Sequence, residues 1–237
     1  DYHIRPEECP LHINFQTYRT IKRSLAQVLH TRPNSHAEQH LTTLTLLICG
    51  IVASQHVQFD KLASHAPIRA RKNESLITRY RRFVKHKHIS ADTLWLPFAR
   101  PLLQGLAQTP LTIVLDGTTA GRGCVVLMAS VVYRGRAIPL LWCVVKGKKG
   151  HLPETMHCAL VRRLQQLIPA DASVTLLGDG EFDGTELQAT LRSTNWQYVC
   201  RTASSILISA GARVFSVGDL PLVRGEAVYM SDVRMTA

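Results

Sequence analysis

The chain has 237 residues, 46% of them hydrophobic, and 28 Lys and Arg against 17 Asp and Glu give a net charge of +11. That composition excludes a disordered or low-complexity chain and supplies the core of one large or two small domains. The longest apolar run, residues 41–53, is interrupted by threonines and falls short of the ~20 residues of a membrane span, so no membrane partner is expected.

The charge points to a polyanion, most simply nucleic acid, and it is unevenly spread. Residues 1–100 carry 15 basic and 7 acidic side chains, residues 101–237 carry 13 and 10. Within the first part, Arg69, Arg71, Lys72, Arg79, Arg81, Arg82, Lys85 and Lys87 surround a single acid, Glu74. Asn73 is placed to cap a helix over 74–85, in which Leu76, Ile77, Tyr80, Phe83 and Val84 recur at spacings of three and four. The opposite face is rich in arginine and is suited to phosphates. With buried helices over 41–54 and 59–64, residues 1–100 read as a small all-helical DNA-binding region, with Arg79, Arg81, Arg82 and Lys85 as its contacts.

After Pro97 and Pro101 the pattern changes to strands. Residues 111–116 form the first, and 123–133 and 136–145 flank the turn Arg134-Gly135 as a hairpin does. Pro153 opens a helix to about Leu167, Ser173–Leu177 is a fourth strand, Thr185–Arg192 a helix and Trp196–Arg201 a fifth strand. The order β-β-β-α-β-α-β is that of an α/β domain with a mixed sheet flanked by helices. The six cysteines, at 9, 49, 124, 143, 158 and 200, include no Cys-x-x-Cys pair, which speaks against a zinc knuckle and for a reducing cytoplasm. The chain opens on Asp1 without a secretory signal and reads as a fragment.

Two of the strands end on acids. Leu-Thr-Ile-Val-Leu-Asp116-Gly-Thr-Thr and Leu-Leu-Gly-Asp179-Gly-Glu-Phe-Asp-Gly each put an Asp before Gly at the end of an apolar run. In a ribonuclease H-like order the first and fourth strands are neighbours, so Asp116 and Asp179 would stand together. Paired carboxylates repel unless they share a cation, and hard oxygen ligands suit Mg²⁺ or Mn²⁺. Glu181 and Asp183 read as caps of the following helix. Lys146-Gly-Lys148-Lys149-Gly is a basic loop able to touch DNA backbone near the acids. His86, His88, His151 and His157 lack zinc-site spacing and read as surface or phosphate-facing.

Asp116-Gly-Thr followed by Gly-Asp179-Gly-Glu-Phe-Asp resembles the DDE transposases of bacterial insertion sequences, whose catalytic core is ribonuclease H-like. The resemblance spans roughly residues 41–237. It implies that 101–237 is the catalytic domain, incomplete, with a β-rich insertion starting near 203, and that Asp116 and Asp179 are the first two catalytic and metal-binding acids, with Gly180 where Arg is common. It further implies Mg²⁺- or Mn²⁺-dependent hydrolysis and strand transfer on double-stranded DNA, at transposon ends and target sites. A homodimer on paired ends and a location at the bacterial nucleoid follow from the same resemblance. The family's third acid comes from a Tyr…Arg…Glu…Lys helix, a pattern not found here. Glu226, in Val-Arg-Gly-Glu-Ala-Val-Tyr, reads as part of a strand, so the chain is expected to end before its third ligand and to bind DNA without cutting it efficiently.

Two other readings remain. Asp-Gly-Thr with Gly-Asp-Gly also resembles the haloacid dehalogenase-like phosphatases, but their nucleophilic Asp would fall at Val114. A catalytically inactive, transposase-derived DNA-binding protein would tolerate the missing Glu.

Overall fold

The computed structural model describes residues 15–31, 35–67 and 73–236. Cys9, Arg69, Arg71 and Lys72 lie outside them. The chain divides into two units, residues 1–98 and 99–237.

The first unit is helical: α1 Phe15–Val28, α2 His36–Ser54, α3 Phe59–Ser64, α4 Asn73–Val84 and α5 Ala91–Leu94. The periodic pattern locates α3 and α4 to within a residue, and α2 starts five residues before the apolar run that signals it. Its start is defined by Ser35, whose hydroxyl accepts from the Glu38 N–H at 3.2 Å, the usual way of satisfying a free donor of the first turn. Helix α1 has no counterpart in the sequence reading. Its signal is sparse, with buried Tyr18 and Leu25 and half-buried Ile21 at spacings of three and four on an otherwise polar segment. Lys22 ties α1 to α2 through Glu38 at 3.0 Å.

Leu46, Leu62, Leu76 and Tyr80, none more than 4% exposed, centre the core of this unit. The Tyr80 hydroxyl is buried without a hydrogen-bond partner, and burial pushes its pKa up to about 12. Gly50 is where α2 meets α3. A Cβ built there would stand 2.9 Å from the Leu62 carbonyl oxygen and 3.1 Å from its Cα, both backbone atoms that cannot rotate away.

Helix α6 Leu96–Leu106 crosses the boundary between the units and precedes the sheet. The two prolines therefore lie within a helix, and the first strand starts at Leu111 as the pattern predicts. Pro97 sits in the first turn, where its N–H would be unpaired anyway, and Pro101 is accommodated inside the helix at the loss of one donor. Strands β1 Leu111–Gly121, β2 Cys124–Tyr133 and β3 Arg136–Lys146 follow as an antiparallel meander. After α7 Glu154–Leu167 come β4 Val174–Gly178, α8 Thr185–Arg192 and β5 Gln197–Cys200. The strand order is β3-β2-β1-β4-β5, with β4 parallel to both β1 and β5. A five-stranded mixed sheet flanked by helices in this order is compatible with a ribonuclease H-like fold.

Alternation makes the sheet two-sided. Ile113, Leu115, Leu127, Ala129 and Leu176 are at most 2% exposed, and α7 packs on β2 and β3, its buried face including Leu160, Val161 and Leu164. The hairpin between β2 and β3 turns on Arg134 (φ 49°) and Gly135 (φ 72°), the paired positive φ values that match the twist of the flanking strands.

Beyond β5 a separate antiparallel sheet forms, in the order β7-β6-β8, from β6 Leu207–Ala210, β7 Arg213–Ser216 and β8 Val233–Thr236. The segment around Glu226 is not part of it. Arg224 and Gly225, the latter at φ 96°, form a turn, and the Glu226 carboxylate accepts from the Val223 N–H at 3.1 Å. The strand expected there is replaced by this local hydrogen bond, which exposed Val223, Val228 and Tyr229 do not oppose by packing.

Because Gly50 faces backbone, Gly50→Ala is expected to destabilise the helical unit by about 1–3 kcal/mol, the cost of overpacking. Urea unfolding of the variant, followed by circular dichroism, should show a midpoint well below that of the wild type.

Candidate active site at the strand ends

Strand pairing positions the two aspartates. Strands β1 and β4 run parallel from Leu111↔Val174 to Val114↔Leu177, and Asp116 and Asp179 each stand two residues beyond the last couple. Side chains two apart share a face, so both acids are delivered to the same side and the same end of the sheet. Strand β1 does not stop at Asp116. It continues to Gly121 because β2 goes on pairing with it, Asp116 opposite Met128, after β4 has turned away. Asp179 begins a 3-10 turn, Gly180–Phe182, its Oδ1 accepting from the Glu181 N–H at 3.0 Å.

Asp116 is open, its side chain 62% exposed, and Lys149 Nζ lies 3.5 Å from its Oδ1. A pair this exposed contributes little to stability. It does bring the basic loop to the first acid. Lys146, Lys148 and Lys149 are all exposed, and Gly150, at φ 79°, turns the loop so that its N–H donates to Glu181 Oε2 at 3.1 Å.

Glu181 is therefore not a helix cap. Its side chain is 6% exposed although its backbone is open, and a Cβ on Gly117 would meet its Oε2 at 3.1 Å. Gly117 and Asp116 are neighbours on β1 and present opposite faces. Glu181 thus fills the covered side beneath the strand end, while Asp116 occupies the open one. The capping role expected of Glu181 and Asp183 belongs instead to Glu154 in the first turn of α7, whose Oε1 accepts from the Leu187 N–H of α8 at 2.7 Å. A Cβ on Gly184 would collide with that carboxylate. Asp183 instead accepts from the Thr202 hydroxyl at 2.8 Å.

His157 is likewise buried, not at the surface. Its side chain is 3% exposed, its Nε2 lies 3.8 Å from Glu181 Oε1, and neither atom has a hydrogen-bond partner. The ring packs on Phe182 at 4.8 Å between centroids. Burial lowers the His157 pKa, and the attraction of Glu181, Glu154 and Asp179 only partly offsets it. The signal was available in the sequence, since His157 precedes Leu160, Val161 and Leu164 at helical spacing on the apolar face of α7.

On α4 the four expected DNA contacts separate into two kinds. Arg81, Arg82 and Lys85 are exposed, Arg81 with Glu74 3.8 Å away. Arg79 is half-buried. Its Nε donates to Thr43 Oγ1 at 2.8 Å and its guanidinium to the Gln39 carbonyl at 3.3 Å, which joins α4 to α2. Among the described residues no three His, Cys, Asp or Glu side chains converge as a metal-binding group, and no helix is long and apolar enough to cross a membrane.

No protein-family model and no curated protein matches the chain. Among solved structures, one described as the crystal structure of the Mos1 strand transfer complex is similar at 12% identity and a TM-score of 0.26, over 73% of this chain and 61% of that one. The chain thus spans about three fifths of the length of that structure's chain. The strand order, not this likeness, defines the fold.

The depressed His157 pKa has a consequence for stability. An unfolded chain protonates near the ordinary imidazole value of about 6.5, whereas folded His157 resists protonation, so the unfolded state binds more protons and stability falls as pH drops through that value. Urea unfolding compared at about pH 7.5 and 5.5 should show this loss, and His157→Leu should lose less over the same interval.

Proposed function

We propose that the chain is a DDE transposase of a bacterial insertion sequence, or a piece of one, that binds transposon-end DNA and carries out phosphodiester hydrolysis and strand transfer. The observation that carries this reading is the in-register delivery of Asp116 and Asp179 to one face at the end of adjacent parallel strands, in a sheet ordered β3-β2-β1-β4-β5.

Two exposed carboxylates on one sheet end are a donor set suited to a hydrated, hard divalent cation, and Lys149 beside Asp116 indicates a position that favours positive charge. Asp116 and Asp179 would hold Mg²⁺ or Mn²⁺. Such ions, when bound, supply activation of the attacking hydroxyl and stabilisation of the leaving oxygen. The chain's own groups then have defined tasks. Lys146, Lys148 and Lys149 contact backbone phosphate beside the acids, and Glu181 holds their loop through the Gly150 N–H. Arg81, Arg82 and Lys85 bind duplex phosphates on the helical unit, as a homodimer on paired ends in the bacterial cytoplasm.

A second reading, a transposase-derived protein that binds DNA without cutting it, is favoured by the lack of a third converging ligand among the described residues. Cleavage separates the two. In the protein translated from its complete reading frame, nicking of end-containing DNA in Mg²⁺ or Mn²⁺ is expected, and Asp116→Asn or Asp179→Asn should abolish it at unchanged or slightly higher DNA affinity. Nicking that survives both substitutions would sink the catalytic assignment, and no nicking in the wild type would favour the binding protein.

The role of α4 in DNA binding is tested apart from the fold by leaving Arg79 in place. Replacing Arg81, Arg82 and Lys85 together with Ala should weaken duplex binding and flatten its salt dependence by roughly 0.9 in the slope of log K against log salt for each phosphate that the protein ceases to neutralise. An unchanged slope in a titration followed by fluorescence anisotropy would mean that α4 is only a solvated face.

A further inference from the structure

Three concavities of the helical unit share His86, the second residue after α4. One, a groove of about 560 Å³ between α2 and α4, is also lined by His40, Arg79 and Arg82. The next, about 500 Å³, adds His36 and His88 to His40 and His86. The third, shallow, is lined by Arg81, Arg82, Lys85 and Lys87 as well as His86. The imidazoles are close: ring centroids lie 4.5 Å apart for His40 and His86 and 5.5 Å for His86 and His88.

Among the described residues no carboxylate lines any of the three. The acids next to lining residues in sequence are Glu38, paired with Lys22, Glu74, 3.8 Å from Arg81, and Asp92. The other linings are uncharged: Leu29 and Thr31 after α1, Ser75, Thr78 and Phe83 on α4, and Thr93 and Leu94 on α5, while α3 contributes none. Four imidazoles and a row of arginines and lysines are therefore gathered with one carboxylate, Glu74, 3.8 Å from Arg81. Protonated, the imidazoles repel one another and the neighbouring cations, and an anion from outside relieves that repulsion. The guanidinium of Arg79 is already fixed by Thr43 and Gln39, so part of the site is ordered before any ligand arrives.

We propose that this strip is a binding site for phosphate esters, filled by the backbone phosphates of nucleic acid, and that their binding is coupled to protonation of His40 and His86. The identity of the ligand as DNA rests on the function proposed above; the anion chemistry does not. The coupling has a definite sign. Burial first, then repulsion from His86, His36 and His88, holds the His40 pKa below its ordinary value. A phosphate seated among them offsets that repulsion and raises the His40 pKa, so affinity increases as pH falls.

The test uses the whole chain, a short fluorescent DNA duplex and inorganic pyrophosphate, at constant ionic strength between about pH 8 and pH 6. Duplex affinity of the wild type should rise by up to about tenfold per pH unit for each proton taken up on binding. In a His40→Gln, His86→Gln variant most of that rise should disappear while binding at the higher pH is kept. Circular dichroism checks the fold, and should this variant fail to fold, His36→Gln with His88→Gln, both at exposed positions, takes its place. Equal pH slopes in wild type and variant would overturn the proposal while leaving DNA binding itself intact. Pyrophosphate bound with the same histidine-dependent slope, by a chain that does not bind duplex, would keep the anion site and remove DNA as its ligand. Duplex bound with that slope and pyrophosphate not competing would assign the site to the nucleic-acid backbone.

Discussion

The site at the strand ends depends on one register. Leu111 to Val114 of β1 pair in parallel with Val174 to Leu177 of β4, and that pairing sends Asp116 and Asp179 to the same face and the same end of the sheet. A slip of one residue would send one acid to the covered face, because side chains alternate along a strand. The register is protected on that face by Ile113 and Leu176, which are partners and at most 1% exposed. Moving either into solvent would forfeit on the order of 1.5–3 kcal/mol of apolar burial. Placement of the acids is thus secured by aliphatic packing on the side of the sheet they do not occupy.

Beneath that end lies a second constraint, electrostatic in kind. Glu181 and His157 are nearly inaccessible, and their facing atoms, 3.8 Å apart, have no other partner. With the His157 pKa lowered by burial, the contact is not an ion pair at neutral pH, and each member is a buried polar group whose desolvation the other does not fully offset. What the arrangement provides is connection. Through one carboxylate, the turn after β4, the face of β1 under Gly117, helix α7 and the loop bearing Lys146, Lys148 and Lys149 are held together. An acid that follows Asp179 by two residues therefore positions the surroundings of the site and is not exposed beside it.

How far this could be read from sequence follows from the range of each interaction. The strands of the sheet were legible because period-two burial and the turn at Arg134-Gly135 are local, and so was the helix from Glu154. Interactions that join distant positions were not. Glu154 caps α8 across 33 residues, displacing Glu181 and Asp183 from the role that their own spacing implied. Strand β1 extends past Asp116 because β2 returns along it, which the Gly-Thr-Thr-Ala-Gly run does not advertise. Helix α1 was missed because a few buried residues on a polar segment make a weak pattern, and Glu226 was misread because one side-chain hydrogen bond to Val223 substitutes for a strand partner.

The basic excess divides in the same way, between cations engaged by the fold and cations left open. Lys22 and Arg79 are engaged, one by Glu38 and the other by Thr43 and Gln39. Arg81 and Arg82 are exposed near the end of α4, and Lys85 is exposed just after it. Counting charge cannot distinguish the two groups, yet only the second can exchange counterions for phosphates. At physiological salt the screening length is about 8 Å, so the formal +11 does not act on DNA as a whole. Affinity is set by cations lying within that distance of one another. The strip along α4 meets this condition with little opposing charge beyond Glu74, and the loop beside Asp116 meets it next to two carboxylates whose repulsion of phosphate its lysines must offset. Under the function proposed above, charge assigns tight holding of DNA to the helical unit, and the strand-end loop contributes contacts to phosphate beside the acids.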